Sequence, residues 1–237
     1  MSENTTLRTA YYWENGDLWV AKFLSRNDDH DVGAWEMFAC RLAESAGITV
    51  AKTQMMEVGV HHALLSRRFD RIAGKRIHFA SAMCLLGLKD GDGAQSGHGY
   101  LDIAEFIIEH CADVEVNLEE LFRRVAFNIA IGNCDDHFRN HGFLLTRSGW
   151  TLSPAFDLNP TTRENQSLLI NDYTDKSDLN VLFKSASSYF LTKARAKAII
   201  EEVVEAVAGW RSIAQALRLA RSDAQRLGSR FVVGLKS

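Results

Sequence analysis

Asp135 and Asn140 lie five residues apart in the run Ile131-Gly-Asn-Cys-Asp-Asp-His-Phe-Arg-Asn140, and a second carboxylate, Asp157, follows in Leu152-Ser-Pro-Ala-Phe-Asp-Leu-Asn-Pro160. That layout suits phosphoryl transfer: one Asp takes the proton of an acceptor hydroxyl, while an Asn and a second Asp hold Mg²⁺ on the phosphates of ATP. Phosphates also need a cation on their far side. Lys22, in Leu18-Trp-Val-Ala-Lys-Phe23, is the candidate, because it alternates with the apolar Leu18 and Val20, an unusual place for a lysine. Glu36, one turn into the following helix, is expected to pair with Lys22 so that the two charges orient each other.

Taken singly, each feature has a plainer reading. An Asp-x4-Asn pair often arises by chance. Lys22 reads equally as an edge-strand lysine that guards against aggregation, and Glu36 as a solvated helix residue. Asp136, His137 and His141 stand at a spacing where His and Asp can share a metal, but no second cluster with ligand spacing supports a metal hydrolase. What selects phosphoryl transfer is the order: strand Lys, helix Glu, connector, helix, Asp-x4-Asn, hairpin, Asp. Asp136, next to the expected base, is by motif not catalytic and reads as its natural control.

The elements that must hold these residues are partly legible. Thr9 to Trp13 and Leu18 to Leu24 are rich in aromatic and β-branched residues and flank Glu14-Asn-Gly-Asp17, a hairpin signal. Apolar residues at Trp35, Phe38, Ala39, Leu42, Ala43 and Ala46 follow a helical period, and Gly47 supplies the stop. Strands over 53–58 and 63–69 surround a turn at 59–62. After about Asp70 the pattern becomes helical, broken by the glycine-rich stretch 87–99, which reads as a mobile loop. Asn117 and Glu120 form a capping box for a helix whose stripe of Leu118, Leu121, Phe122, Val125, Ala126 and Ile129 ends at Gly132 and delivers the Asp135 loop.

A short hairpin over 142–145 and 150–152, turning at Ser148-Gly149, then returns the chain toward the same place, so that Asp157 reaches the metal that Asn140 ligates. The only two prolines, Pro154 and Pro160, lie three residues to either side of Asp157 and fix φ there. Helices over 193–207 and 213–219 close the chain. The fold class expected is α+β and two-lobed, with strands and one helix over 1–70 and a mainly helical lobe over 71–237.

Composition narrows the setting. The chain has 237 residues, 46% hydrophobic and 24% charged, with a net charge of -3, so nothing global points to nucleic acid or to an anionic membrane. Cys40, Cys84, Cys111 and Cys134 lie far apart without a C-x-x-C pair, and read as thiols in a reducing cytoplasm. Neither a leader pattern nor a run of 18 apolar residues occurs, so a cytoplasmic protein is expected. The basic stretch Trp210 to Ser237 reads as a solvated helix face.

The stretches Trp19-Val-Ala-Lys-Phe23, Arg68-Phe-Asp-Arg71, Tyr100-Leu-Asp-Ile-Ala-Glu-Phe106, Asn133-Cys-Asp-Asp-His-Phe-Arg-Asn-His-Gly142 and Leu152 to Pro160 resemble the C-terminal kinase domain of the HipA family. The resemblance covers about residues 18 to 215. It implies a serine/threonine kinase, typically the toxin of a bacterial toxin-antitoxin system. It also implies Asp135 as catalytic base, Asn140 and Asp157 as Mg²⁺ ligands, and Lys22 as the phosphate-contacting lysine. Arg67 to Phe69 would be the hinge whose backbone meets adenine, with His137 against the nucleotide. Family toxins phosphorylate aminoacyl-tRNA synthetases and are neutralised by a helix-turn-helix antitoxin, so such a substrate and such a partner are expected.

Two departures stand out. The family's glycine-containing phosphate loop, with its serine and Pro-Lys pair, corresponds here to Met1 to Thr9, which has neither glycine nor proline. Fewer backbone N-H groups would then cradle the phosphates, leaving Ser2, Thr5 or Thr6 to stand in. The small N-terminal subdomain that precedes the kinase in longer members has no counterpart here, and three alternatives stand open: truncation, a separate protein that supplies it, or loss. Two rival readings follow. One is a kinase-like binding module without catalysis. The other is a kinase of a non-protein acceptor, since Gly-x-x-Asp-x-His-x-x-Asn also resembles the catalytic loop of the phosphoinositide-kinase group.

Overall fold

The computed structural model describes residues 9–14, 16–23, 31–59, 61–72 and 74–231. The phosphate-loop region at Met1 to Arg8, the turn residue Asn15, the expected strand end at Leu24 and the tail from 232 lie outside the described residues.

Strands β1 (Thr9–Glu14) and β2 (Asp17–Lys22) pair antiparallel, with Gly16 at φ +83° making the turn. Helix α1 (Val32–Ser45) begins at Asp31, whose carboxylate accepts the Ala34 N-H at 3.2 Å, and stops before Gly47 at φ +77°. Strands β3 (Thr53–Val58) and β4 (His61–Arg67) complete a four-stranded antiparallel sheet in the order β1-β2-β4-β3. α1 lies directly on it: a Cβ on Gly33 would sit 2.5 Å from the His62 carbonyl oxygen, so glycine is what lets helix and strand approach.

The chain does not turn helical at once. β5 (Arg71–Ile72) and β6 (Lys75–Arg76) form a small hairpin, and β7 (His78–Ser81) leads into the short helix α2 (Ala82–Leu85). Then come α3 (Tyr100–His110), α4 (Val114–Ile131), β8 (Gly142–Thr146) and β9 (Gly149–Leu152). β7 joins β8 and β9 in a three-stranded sheet, with Phe79 opposite Leu144. A four-residue strand is too short to show a period, and its partner lies more than sixty residues downstream. The remaining helices are α5 (Leu179–Lys184), α6 (Lys193–Ala208), α7 (Trp210–Ala216) and α8 (Arg221–Gly228). The last helical stretch expected, 213–219, is thus replaced by α7 and α8, separated by Arg218 at φ +53°.

Two further expectations need correction. The glycine-rich stretch 87–99 is pinned by backbone hydrogen bonds: Ala94 N-H to the Ser167 carbonyl at 2.9 Å, Leu169 N-H to His98 at 3.1 Å, and Tyr100 N-H to Leu169 at 3.0 Å. Two of its glycines serve close packing, since a Cβ on Gly93 or Gly99 would lie 2.5 Å from the Ser167 oxygen or 2.3 Å from the Leu169 oxygen, while Gly87, Gly91 and Gly97 take positive φ. The capping box is also absent. α4 starts three residues earlier, at Val114, and Asn117 sits inside it, buried. Its amide donates to the Ala112 carbonyl at 2.7 Å and accepts the Leu152 N-H at 2.7 Å, which ties the helix to β9.

One apolar core runs through the molecule. Phe38, Leu42 and Ala43 of α1 belong to the same cluster as Leu121, Phe122 and Val125 of α4 and Ile199, Ile200 and Val203 of α6. Among the described residues a small cluster of Trp19, Ala21 and Leu65 sits apart, within the sheet. α1 is therefore sandwiched between the sheet and the helices, and Arg123 closes the join by donating to the Ala46 carbonyl at 3.0 Å while pairing with Glu202 at 2.7 Å. Among the described residues no helix is long and apolar enough to cross a membrane.

Phe38 tests this arrangement, because it is fully buried with ring centroids 4.9 Å from Trp35 and 5.9 Å from Phe231. Phe38→Ala should cost about 3–5 kcal/mol in urea unfolding. A loss below about 1 kcal/mol would contradict a core shared by α1 and the helices.

Candidate active site

Lys22 ends β2 and carries the centre of the site. Its ammonium donates to Glu36 Oε1 of α1 at 2.8 Å and to Asp157 Oδ1 at 2.6 Å. Glu36 is almost wholly buried, at 3% exposure. Burial pushes the Glu36 carboxyl above its ordinary range, and the adjacent Lys22 charge works against that rise. For Lys22, burial opposes the charged form, but the two carboxylates outweigh it and lift its pKa above the usual lysine value. Lysine, glutamate and aspartate therefore form one charge-assisted unit.

Asp157 lies in a segment held at its neighbours: Ala155 N-H donates to the Thr49 carbonyl at 2.8 Å, and Ala51 N-H donates back to Ala155 at 2.9 Å. Asp157 itself adopts φ +60°, a left-handed conformation uncommon for a residue with a Cβ. Asn159 Nδ2 donates to the same Oδ1 at 3.1 Å. Phe156, just before it, packs on Phe69, with centroids 5.7 Å apart, and both rings meet Phe79. In the expected hinge, the N-H groups of Arg67 and Arg68 are taken by the Lys52 and Leu18 carbonyls, both at 2.8 Å, and the Arg67 side chain pairs with Asp17 at 3.0 Å.

α4 ends at Gly132, φ +67°, and hands the chain to the loop that carries Asp135, His137 and Asn140. The loop is anchored from beneath by Asp136. This carboxylate is buried and its Oδ2 accepts three hydrogen bonds: from Tyr100 Oη at 2.8 Å, Asn128 Nδ2 at 2.8 Å and His141 Nε2 at 2.7 Å. Burial would raise its pKa, yet His141 and the donated bonds outweigh that and hold it below the ordinary carboxylate range. Asp136 is therefore no neutral control for its neighbour. Asn133 extends the network through Asn128 Oδ1 at 3.0 Å.

Asp135 points the other way. It is about half exposed, and its Oδ1 accepts from Arg163 Nη1 at 2.7 Å. Asn140 is nearly buried, its N-H donating to the His137 carbonyl at 2.8 Å. His137 lies at a small cavity of about 160 Å³ shared with Met83, Asp90, Phe138, Arg139 and Ser167, and its Nδ1 is buried without a partner among the described residues.

The expected residues thus form two groups. Lys22, Glu36 and Asp157 bond one another directly, while Asp135, His137 and Asn140 share one loop. The β8-β9 ladder joins the groups, since Ser153 N-H donates to the Gly142 carbonyl at 2.8 Å, two residues past Asn140 and four before Asp157. Sequence reasoning missed the anchoring role of Asp136, Tyr100, Asn128 and His141, and missed Arg163 altogether. An arginine isolated in an irregular segment gives no local signal. A groove of about 780 Å³ between α7 and α8, lined by Trp210, Arg211 and Arg218 among others, shares no residue with this site.

With this geometry in hand, comparison with known proteins is informative. The HipA-like C-terminal domain family matches residues 5–210, so the chain belongs to that family. Among curated proteins, it is 28% identical over 141 residues to the serine/threonine-protein kinase toxin HipA of Shewanella oneidensis, covering 52% of this chain and 33% of that protein. It is 26% identical over 130 residues to the putative kinase Y4mE of Sinorhizobium fredii, covering 52% and 31%. The matched regions thus span about a third of each curated relative.

Among solved structures, the fold matches S. oneidensis HipA in its complex with HipB and operator DNA at TM-score 0.73 and 18% identity, covering 90% of this chain and 55% of that one. It matches the Helicobacter pylori proinflammatory kinase CtkA at TM-score 0.63 and 15% identity, covering 94% and 90%. The α+β, two-lobed kinase-like fold expected from the sequence is the fold observed.

Asp136→Asn provides a test of the buried anchor. Asparagine keeps one oxygen for the Oδ2 place, but it has no charge to match the three donors and adds a buried N-H group that needs a partner, which should cost about 2–4 kcal/mol. In a chain of this size the melting temperature should fall by about 5–15 °C in a circular dichroism scan. An unchanged melting temperature would contradict the anchor.

Proposed function

We propose that this chain is a Mg²⁺-ATP-dependent kinase that phosphorylates a serine or threonine of a protein. The observation that carries the reading is the Lys22-Glu36-Asp157 unit, in which a strand lysine is oriented by a buried helix glutamate and delivered onto a carboxylate of the opposite lobe. Lys22 would contact the phosphates, with Glu36 holding it in place. Asn140 and Asp157 would be the metal ligands, and the Phe69 backbone, beside the Arg67 and Arg68 amides already in use, would meet adenine with His137 near the nucleotide. The strand-rich segment up to about Asp70 acts as the nucleotide-side lobe and the rest as the catalytic lobe.

The residues present fit Mg²⁺. Asn140 and Asp157 offer hard oxygen donors, and a metal held by one or two protein oxygens plus phosphates and water is the usual arrangement for this ion. The Asp157 carboxylate already accepts a cation, the Lys22 ammonium at 2.6 Å. The metal, when bound, neutralises phosphate charge. The protein's own part is positioning. Asp135, exposed on a loop anchored through Asp136, would accept the proton of the acceptor hydroxyl.

The family toxin role sets the cellular proposal: a cytoplasmic kinase acting on a translation-related protein such as an aminoacyl-tRNA synthetase, silenced by a helix-turn-helix antitoxin. The HipA relative's solved complex with HipB and operator DNA supports a partner of that kind.

The test is transfer of labelled phosphate from ATP to proteins of a bacterial lysate or to the chain itself. Asp135→Asn keeps the shape but loses the base, and should slow transfer by about 10²–10⁴-fold, with Glu201→Gln, at an exposed position of α6, unaffected. Equal transfer by wild type and Asp135→Asn would remove the assignment of the base. Absence of transfer by the wild type would favour the binding-module reading. A second measurement concerns Asp157→Asn, since asparagine tolerates φ +60° and should leave the fold intact. It should lose the Mg²⁺-dependent part of ATP affinity in calorimetry, and retention of that part would exclude Asp157 as a ligand.

A further inference from the structure

Arg163 is placed beside Asp135 by construction rather than by chance. The segment that carries it is clamped on both sides to the residues just before Asp135. Upstream, Thr161 donates to the Gly132 carbonyl through its N-H at 2.9 Å and its hydroxyl at 3.1 Å. Downstream, Ser167 donates to the Cys134 carbonyl through its N-H at 3.1 Å and its hydroxyl at 2.8 Å. Between the clamps, the Arg163 carbonyl accepts from Cys134 Sγ at 3.4 Å and from the Arg230 guanidinium. The backbone under this side chain is therefore fixed relative to the loop that presents Asp135.

The guanidinium spends little on the protein. It has five N-H donors in a planar fork, and among the described residues only Nη1 is used, on Asp135 Oδ1 at 2.7 Å. The rest of the side chain is exposed, at 62%. An ion pair this exposed contributes little to stability. A guanidinium with free donors, held on the carboxylate that would receive the acceptor proton, is instead suited to the oxygens of a phosphoryl group arriving at the same place.

We propose that Arg163 is a catalytic residue of the phosphoryl transfer, a role that rests on the function proposed above. Its guanidinium stabilises the charge on the phosphoryl group in transit while one N-H keeps the Asp135 carboxylate oriented. In that step the acceptor oxygen bonds to the γ-phosphorus as the bond from phosphorus to the bridging oxygen of ADP breaks. The hydroxyl proton passes to Asp135, and ADP leaves with the electron pair of the broken bond. Arg163 neither gains nor loses a proton. A group that acts on charge developed in the transition state should change turnover rather than substrate affinity.

The experiment uses the full chain with Arg163→Ala and Arg163→Lys, and reads both turnover and binding. Arg163→Ala should lower the rate at saturating ATP by about a hundredfold or more, with the KM for ATP unchanged and the melting temperature close to wild type. Arg163→Lys should recover part of the rate. By calorimetry with Mg²⁺, the wild type should bind ADP with fluoroaluminate, a mimic of the phosphoryl group in transit, more tightly than ADP alone, and Arg163→Ala should lose that gain.

Faster transfer by Arg163→Ala would show that the arginine blocks the base, and an unchanged rate, or a KM effect alone, would likewise overturn the proposal. If Asp135→Asn abolishes transfer while Arg163→Ala does not slow it, the kinase reading stands and the Arg163 role fails. If the wild type transfers no phosphate, both fail.

Discussion

A buried carboxylate needs a cation, and the architecture follows from how Glu36 obtains one. Helix α1 is packed so tightly between the sheet and the helices that Glu36, on its inner face, is cut off from water. An unpaired charge there would be costly. Lys22, at the end of β2, meets that need, and the requirement fixes the relation of the hairpin to α1. Because the same ammonium also reaches Asp157, it carries the constraint across to the segment after β9. One lysine thus ties together strand, helix and the segment that bears the proposed metal ligand.

The loop with Asp135 and Asn140 depends on a second buried charge. Asp136 gathers a tyrosine from α3, an asparagine from α4 and a histidine from just ahead of β8, so three elements converge on one carboxylate oxygen. Adjacent residues of the chain therefore differ in role: Asp136 faces inward and anchors, while Asp135 faces outward, half exposed and paired with Arg163. Such an arrangement suits a reaction whose demands are mainly positional.

Much of this could be read in the sequence where the signals were local. The turns at Gly16 and Gly149, the stops at Gly47 and Gly132, and the apolar stripe of α4 each depend on residues within a few positions, and the structure keeps all of them. The pairing of Lys22 with Glu36 was legible because a lysine alternating with apolar residues calls for an explanation. What escaped depends on distance along the chain. β7 exists because β8 recruits it from more than sixty positions away, Asn117 serves β9 rather than its own helix end, and Gly93 and Gly99 are needed because segment 167–169 lies against them. The same holds for Tyr100 with Asp136, 36 residues apart, and for Arg163 with Asp135, 28 apart.

The central claim is that the Lys22-Glu36-Asp157 unit is a phosphate and metal site. The most direct measurement is a crystal structure of the chain with Mn²⁺ and a non-hydrolysable ATP analogue, read by anomalous scattering. A manganese peak bonded to Asn140 Oδ1 and the Asp157 carboxylate is expected, with Lys22 released from Asp157 onto the phosphates and still paired with Glu36. A nucleotide bound elsewhere, or the Lys22-Asp157 bond intact with no peak between Asn140 and Asp157, would contradict it.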